Sequence, residues 1–196
     1  GAARRRLRNL CLGYLNELDS PEYRSLARQQ FDATDNMTDQ FAALSVLANV
    51  TGEEGDQALA DFYARWQGEA LVVDKWLAVQ SSSRLAGTLA RVESLTRHAA
   101  FDIRNPNKVY ALLRTFGANH RHFHAADGAG YRFVAEQIVR LDPINPQVAS
   151  RLARSFDRWR RFDSERQRHS RAALESVRNQ PGLSRDVFEV VDKALS

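Results

Sequence analysis

Three histidines at alternate positions, His120, His122 and His124, with Asp127 close behind, are the residues whose types and spacing first suggest chemistry. Metal ligation needs convergent nitrogens, and alternate histidines converge only on an extended segment. This segment lies between Gly117 and Gly128, where turns are expected, so the sequence predicts a loop holding one structural histidine and no metal site. A second cluster runs from Arg151 to Arg171, with eight arginines against three acids and with Trp159 and Phe162 interleaved. Clustered guanidinium groups suit phosphate backbones. However, Trp159 continues an apolar stripe with Val148, Leu152 and Phe156, which marks it as core. Arginine is also general here, with 25 Arg to 3 Lys in the chain. The stretch is therefore read as one solvated or interface-facing helix, not a nucleic-acid surface. Its first turns gather Gln147, Ser150, Arg151 and Arg154, polar groups near free helix-start N–H donors that are able to hold a carboxylate. No His-Glu-x-x-His helix, glycine-rich phosphate loop or Gly-x-Ser-x-Gly elbow occurs, so no catalytic constellation is evident.

The elements that position these residues read as helices throughout. Leu59, Phe62, Tyr63 and Trp66 follow the i, i+3, i+4, i+7 pattern, as do Val109, Leu112, Leu113 and Phe116. Ser20-Pro21, Asn105-Pro106 and Asn145-Pro146 each place a capping side chain before a proline suited to a first helical position. Thr51 with Glu54, and more weakly Asn36 with Asp39, have capping-box spacing. Counting between starts and glycine stops predicts about ten to twelve helices of roughly 10–18 residues. Short connections make successive helices antiparallel. The expected fold is all-α: an irregular α-solenoid superhelix of antiparallel helix pairs, HEAT- or armadillo-like, forming one domain over residues 1–196.

Length and composition agree. A chain of 196 residues buries roughly 70% of its unfolded surface without a metal or disulfide. The single cysteine, Cys11, excludes an internal disulfide and fits a reducing compartment, so the cytoplasm is the expected location. Sharing a helical stripe with Leu7, Leu10, Tyr14 and Leu15, it is expected in the core. No apolar run reaches membrane-spanning or signal-peptide length. The first residue is Gly1 rather than methionine, and the expectation is a segment of a longer polypeptide. The net charge of +4 is unevenly spread, with seven acids and no Lys or Arg between Asp32 and Asp61.

Several short segments carry a resemblance. They are Asn36-Met37-Thr38-Asp39, Leu71 to Trp76, Asn105-Pro106-Asn107, His124 to Tyr131, Asn145 to Leu152, Arg161-Phe162-Asp163 and Lys193-Ala194-Leu195. In this order they resemble the C-terminal helical domain of the bacterial aminopeptidase N family, across nearly the whole chain. The resemblance implies a non-catalytic domain that encloses the active-site cavity and restricts access to short peptides. It also implies that the catalytic zinc lies in another domain of the same polypeptide and that this chain itself holds no cofactor or metal. The implied partners are that catalytic domain and short peptide substrates, with neither nucleic acid nor membrane. By the same correspondence Gln147 and Arg151 line the substrate cavity, and their four-residue spacing puts both on one helical face. The alternative is a free-standing helical-repeat scaffold binding a protein or RNA partner.

Overall fold

Proline starts and side-chain caps divide the chain into twelve helices with no strand. The computed structural model describes residues 1–196. The helices are α1 (Ala2–Asn16), α2 (Pro21–Ala33), α3 (Met37–Leu47), α4 (Glu53–Trp66), α5 (Ala70–Ser81) and α6 (Thr88–Leu95). Then follows α7, a continuous helix in which a π-helical turn, Tyr110–Arg114, is set between Pro106–Val109 and Thr115–Gly117. The remaining helices are α8 (His120–Phe123), α9 (Ala129–Leu141), α10 (Pro146–Ala153), α11 (Ser164–Arg178) and α12 (Arg185–Leu195). Several are shorter than the sequence predicts, because turns cut α8 and α10 to one or two turns of helix. The chain forms two compact units, Gly1–Val79 and Gln80–Ser196.

In the first unit Phe62 is fully buried and packs its ring against Phe31, Phe41 and Trp66 at 6.4–6.5 Å. Trp76 satisfies its indole by donating to the Leu59 carbonyl at 2.9 Å. Asn36 caps α3 as its spacing predicts, its side-chain oxygen accepting from the Asp39 N–H at 3.0 Å. The buried Asp39 carboxylate accepts from Asn36, Asn9 and the Arg8 guanidinium. Burial pushes its pKa up, but those hydrogen bonds and the Arg8 charge outweigh that and hold it below the usual value.

Three local expectations fail in this unit. Ser20 stands at the start of α2 before Pro21, but its side chain makes no capping bond. Thr51 does not cap α4; the helix starts later, from Gly52, whose φ of +101° makes a turn few other residues adopt. Cys11 is exposed rather than core. Its stripe is real, but Leu7, Leu10 and Tyr14 lie in the open at 62%, 55% and 71% of full exposure, because only the face carrying Leu12 packs inward.

The second unit is built around Phe123, Tyr131 and Phe156, all fully buried. The Phe123 ring meets each of the other two edge-on at 5.1 Å. Helix α9 packs on α10 and α11, and α12 packs on the same pair. Val109, Leu112, Leu113 and Phe116 are all fully buried, as their spacing predicts. The stripe Val148, Leu152, Phe156 and Trp159 is buried too, but it does not lie on one helix. After Ala153 the chain tightens into 3-10 turns at Arg154–Phe156 and Trp159–Arg161. Phe162 is then extended, and Asp163 caps a new helix by accepting from the Arg166 N–H. That restart divides the arginine-rich stretch and corrects the single helix expected there.

Candidate functional site

Asn145 sets the orientation of α10. Its side chain accepts from the Val148 N–H at 3.1 Å, and Pro146 supplies the first helical residue. The amphipathic turns that follow bury Val148, Ala149, Leu152 and Ala153. Gln147 and Arg151 are left exposed on the opposite face, one turn apart. Arg151 then reaches across to α7 and donates to the Tyr110 hydroxyl at 3.0 Å. Tyr110 lies at the start of the π-helical turn, and the Arg114 guanidinium sits 5.7 Å from its ring centre. Extra backbone width at such turns re-aims side chains, which is why they recur at functional sites.

Beyond this contact the surface forms an open cleft of about 420 Å³, lined in part by Arg114, His120, Arg151, Arg154, Asp157 and Arg158. Gln147 shares the exposed face of α10 but does not line the cleft. Sequence reasoning missed Tyr110 and Arg114. Both lie off the apolar stripe of α7, and nothing local links them to a residue about forty positions on.

His120 and His122 lie on the short helix α8 and His124 just past its end, rather than in a loop, and the three do not come together as one ligand set. His120 and His124, one turn apart, have ring centres 5.3 Å from each other. The His122 Nε2 is buried without a hydrogen-bond partner, and Asp127 is occupied in accepting from the Ala129 N–H. The structural histidine is His124. It is buried, stacked on Phe162 with centres 3.8 Å apart, and its Nδ1 lies 2.8 Å from the Tyr131 hydroxyl. Burial, followed by the nearby positive charges of His120 and Arg166, pushes His124 down to about 4. Burial likewise pushes Tyr131 up to about 12, so the pair is neutral at physiological pH. No three His, Cys, Asp or Glu residues come together as a ligand set, and these side chains do not fit a zinc ion.

The fold defines an armadillo-type helical-repeat module that carries a basic cleft. A protein-family model described as "Domain of unknown function (DUF3458_C) ARM repeats" matches residues 1–196, and the chain belongs to that family. It is 39% identical to aminopeptidase N of Escherichia coli (strain K12) over 195 residues, covering 99% of this chain and 22% of that protein. With aminopeptidase N of Haemophilus influenzae it is 40% identical over 195 residues, 98% of this chain and 22% of the relative. The solved structure of Legionella pneumophila aminopeptidase A in complex with aspartic acid matches with a TM-score of 0.92 at 37% identity. That match covers 97% of this chain and 23% of that one. The chain thus spans about a fifth of the length of the curated relatives it matches.

Proposed function

We propose that this chain is the C-terminal, non-catalytic domain of a cytoplasmic, zinc-dependent aminopeptidase. It encloses the active-site cavity and restricts access to short peptides whose N-terminal residue the whole enzyme removes. The observation that carries this reading is identity of about 40% to aminopeptidase N along the entire chain, which also favours an enzyme domain over a free-standing scaffold for a protein or RNA. One family model spans both compact units, which supports treating residues 1–196 as a single domain. The zinc and its ligands belong to another segment of the polypeptide, since the side chains here do not fit that ion. A reducing compartment accords with an exposed, unpaired cysteine, and no helix is long and apolar enough to cross a membrane.

Gln147 and Arg151 contact the peptide beyond the scissile bond. Arg151 is the stronger candidate, because it lines the cleft and the Tyr110 hydroxyl holds its guanidinium in place. The test is kinetic. In the polypeptide that joins this chain to its catalytic segment, Arg151→Ala raises KM for tetra-alanine and leaves alanyl p-nitroanilide turnover within about twofold. Equal effects on both substrates would remove Arg151 from distal peptide binding. This chain by itself hydrolyses no alanyl p-nitroanilide, with or without added zinc; robust zinc-dependent turnover by a pure sample would overturn the assignment.

A further inference from the structure

Several arginines of this chain outside the cleft pair with a carboxylate. Arg28 is answered by Asp32 and Asp61, Arg166 by Asp163, Arg171 by Glu175 and Arg185 by Glu189. The cleft beside Tyr110 gathers four arginines with no such partner. Arg114, Arg151, Arg154 and Arg158 line one concavity, and none forms an ion pair, although Asp157 shares the wall. Arg151 spends one donor on a phenol, and Arg114 lies over the same ring. Four arginines against one carboxylate, Asp157, leave the lining net positive, and a concave wall concentrates that field. Their planar forks suit paired oxygen acceptors on a ligand.

Guided by this charge, and resting on the peptide-cavity reading above, we propose that the cleft is a subsite selecting peptides that carry acidic side chains downstream of the N-terminal residue. Arg154 and Arg158 hold the ligand's carboxylates, and Arg151 orients them from the Tyr110 side. A phosphate backbone is the poorer fit. Single-stranded nucleic acid is held by exposed aromatic platforms beside a long basic track. Here Phe156 and Trp159 are buried, Tyr110 is covered by Arg114, and the concavity is short.

The test uses the polypeptide that joins this chain to its catalytic segment, held inactive by a metal chelator, and fluorescence anisotropy with fluorescein-labelled Ala-Glu-Glu-Glu, against Ala-Gln-Gln-Gln as the neutral analogue. Inorganic phosphate and oligo(U) serve as competitors. The acidic peptide binds at least about tenfold tighter than the neutral one, and Arg154→Gln or Arg158→Gln each weakens it by roughly tenfold. Arg168→Gln, an exposed arginine of α11 that does not line the cleft, leaves binding unchanged, and circular dichroism confirms that every variant folds. Equal binding of the two peptides, or an equal loss from Arg168→Gln, overturns the proposal. So does displacement by phosphate or oligo(U) at lower concentrations than unlabelled acidic peptide requires. The two readings fail separately: loss of the kinetic split at Arg151 leaves this binding result standing, and absent acid preference leaves the cavity reading intact.

Discussion

Replacing Gly130 with alanine tests how closely α9 is seated on α8. Gly130 lies in the first turn of α9, and a Cβ built there falls 2.5 Å from the His122 carbonyl oxygen and 2.6 Å from that of Phe123. It also falls 2.7 Å from the Phe123 Cα. All three neighbours are backbone, so no side-chain rotation relieves the overlap. The helices must separate by a good part of an ångström, loosening the edge-on packing of Phe123 against Tyr131 and Phe156. Overpacking of this kind costs about 3 kcal/mol, the upper part of its usual range, because backbone yields poorly. Alanine recovers about 1 kcal/mol through its better helix propensity, which leaves a net loss of about 2 kcal/mol. Gly13, inside α1, supplies the matched control: nothing lies within 4 Å of its Cβ position, so Gly13→Ala stabilises by up to about 1 kcal/mol. Urea unfolding followed by far-ultraviolet circular dichroism reads both. A neutral or stabilising Gly130→Ala, or a destabilising Gly13→Ala, refutes the close-packing argument.

Two buried titratable groups make the fold sensitive to acid in different windows. His124 is held neutral, so its unfolded form binds the extra proton first, and stability falls as pH drops from about 6.5 toward 4. Its ring resonances, followed by NMR, titrate near pH 4; a midpoint near 6.5 would contradict the burial described. Asp39 is held ionised, so its contribution persists above its ordinary value of 3.8 and is lost as pH falls through the lower folded value. Asp39→Asn flattens the melting temperature below pH 4 relative to the parent, and an unchanged slope there rules out that role. Asp142, buried at the end of α9, accepts from both the backbone N–H and the hydroxyl of Ser184, the cap of α12. Asp142→Ala strips those partners and costs about 2 kcal/mol in urea unfolding. A loss under about 0.5 kcal/mol would show that water replaces the carboxylate.

How far the sequence could be read depended on whether the deciding interaction was local. Asn36, Asn105 and Asn145 bond to the N–H of a residue two or three positions on, so their roles follow from spacing alone. The stripe of α7 likewise needs only a helical period. Cys11 shows the limit, since periodicity identifies an apolar stripe but not whether anything covers it. The continuous helix expected from Arg151 onward fails because its stripe is equally well buried by two tight turns and a restart at Asp163. At the cleft, α10 and the exposed face of Gln147 and Arg151 were legible. Tyr110 was not, because its contact with Arg151 is made only when two distant helices pack.

The π-helical turn at Tyr110–Arg114 has a consequence for comparing related chains. One residue more is accommodated there than an ordinary helix of the same rise would hold, and each residue turns a helix by about 100°. Deleting Ala111 would therefore restore a regular helix with the turns on either side still in place, and would re-aim the side chains inside the turn itself, Tyr110 among them. With the buried stripe from Leu112 onward held in place, Tyr110 would leave the reach of Arg151 and one wall of the cleft would be lost. A relative with a one-residue gap at this turn would thus keep the same helix but present a differently shaped wall, a change of function produced by length rather than by substitution.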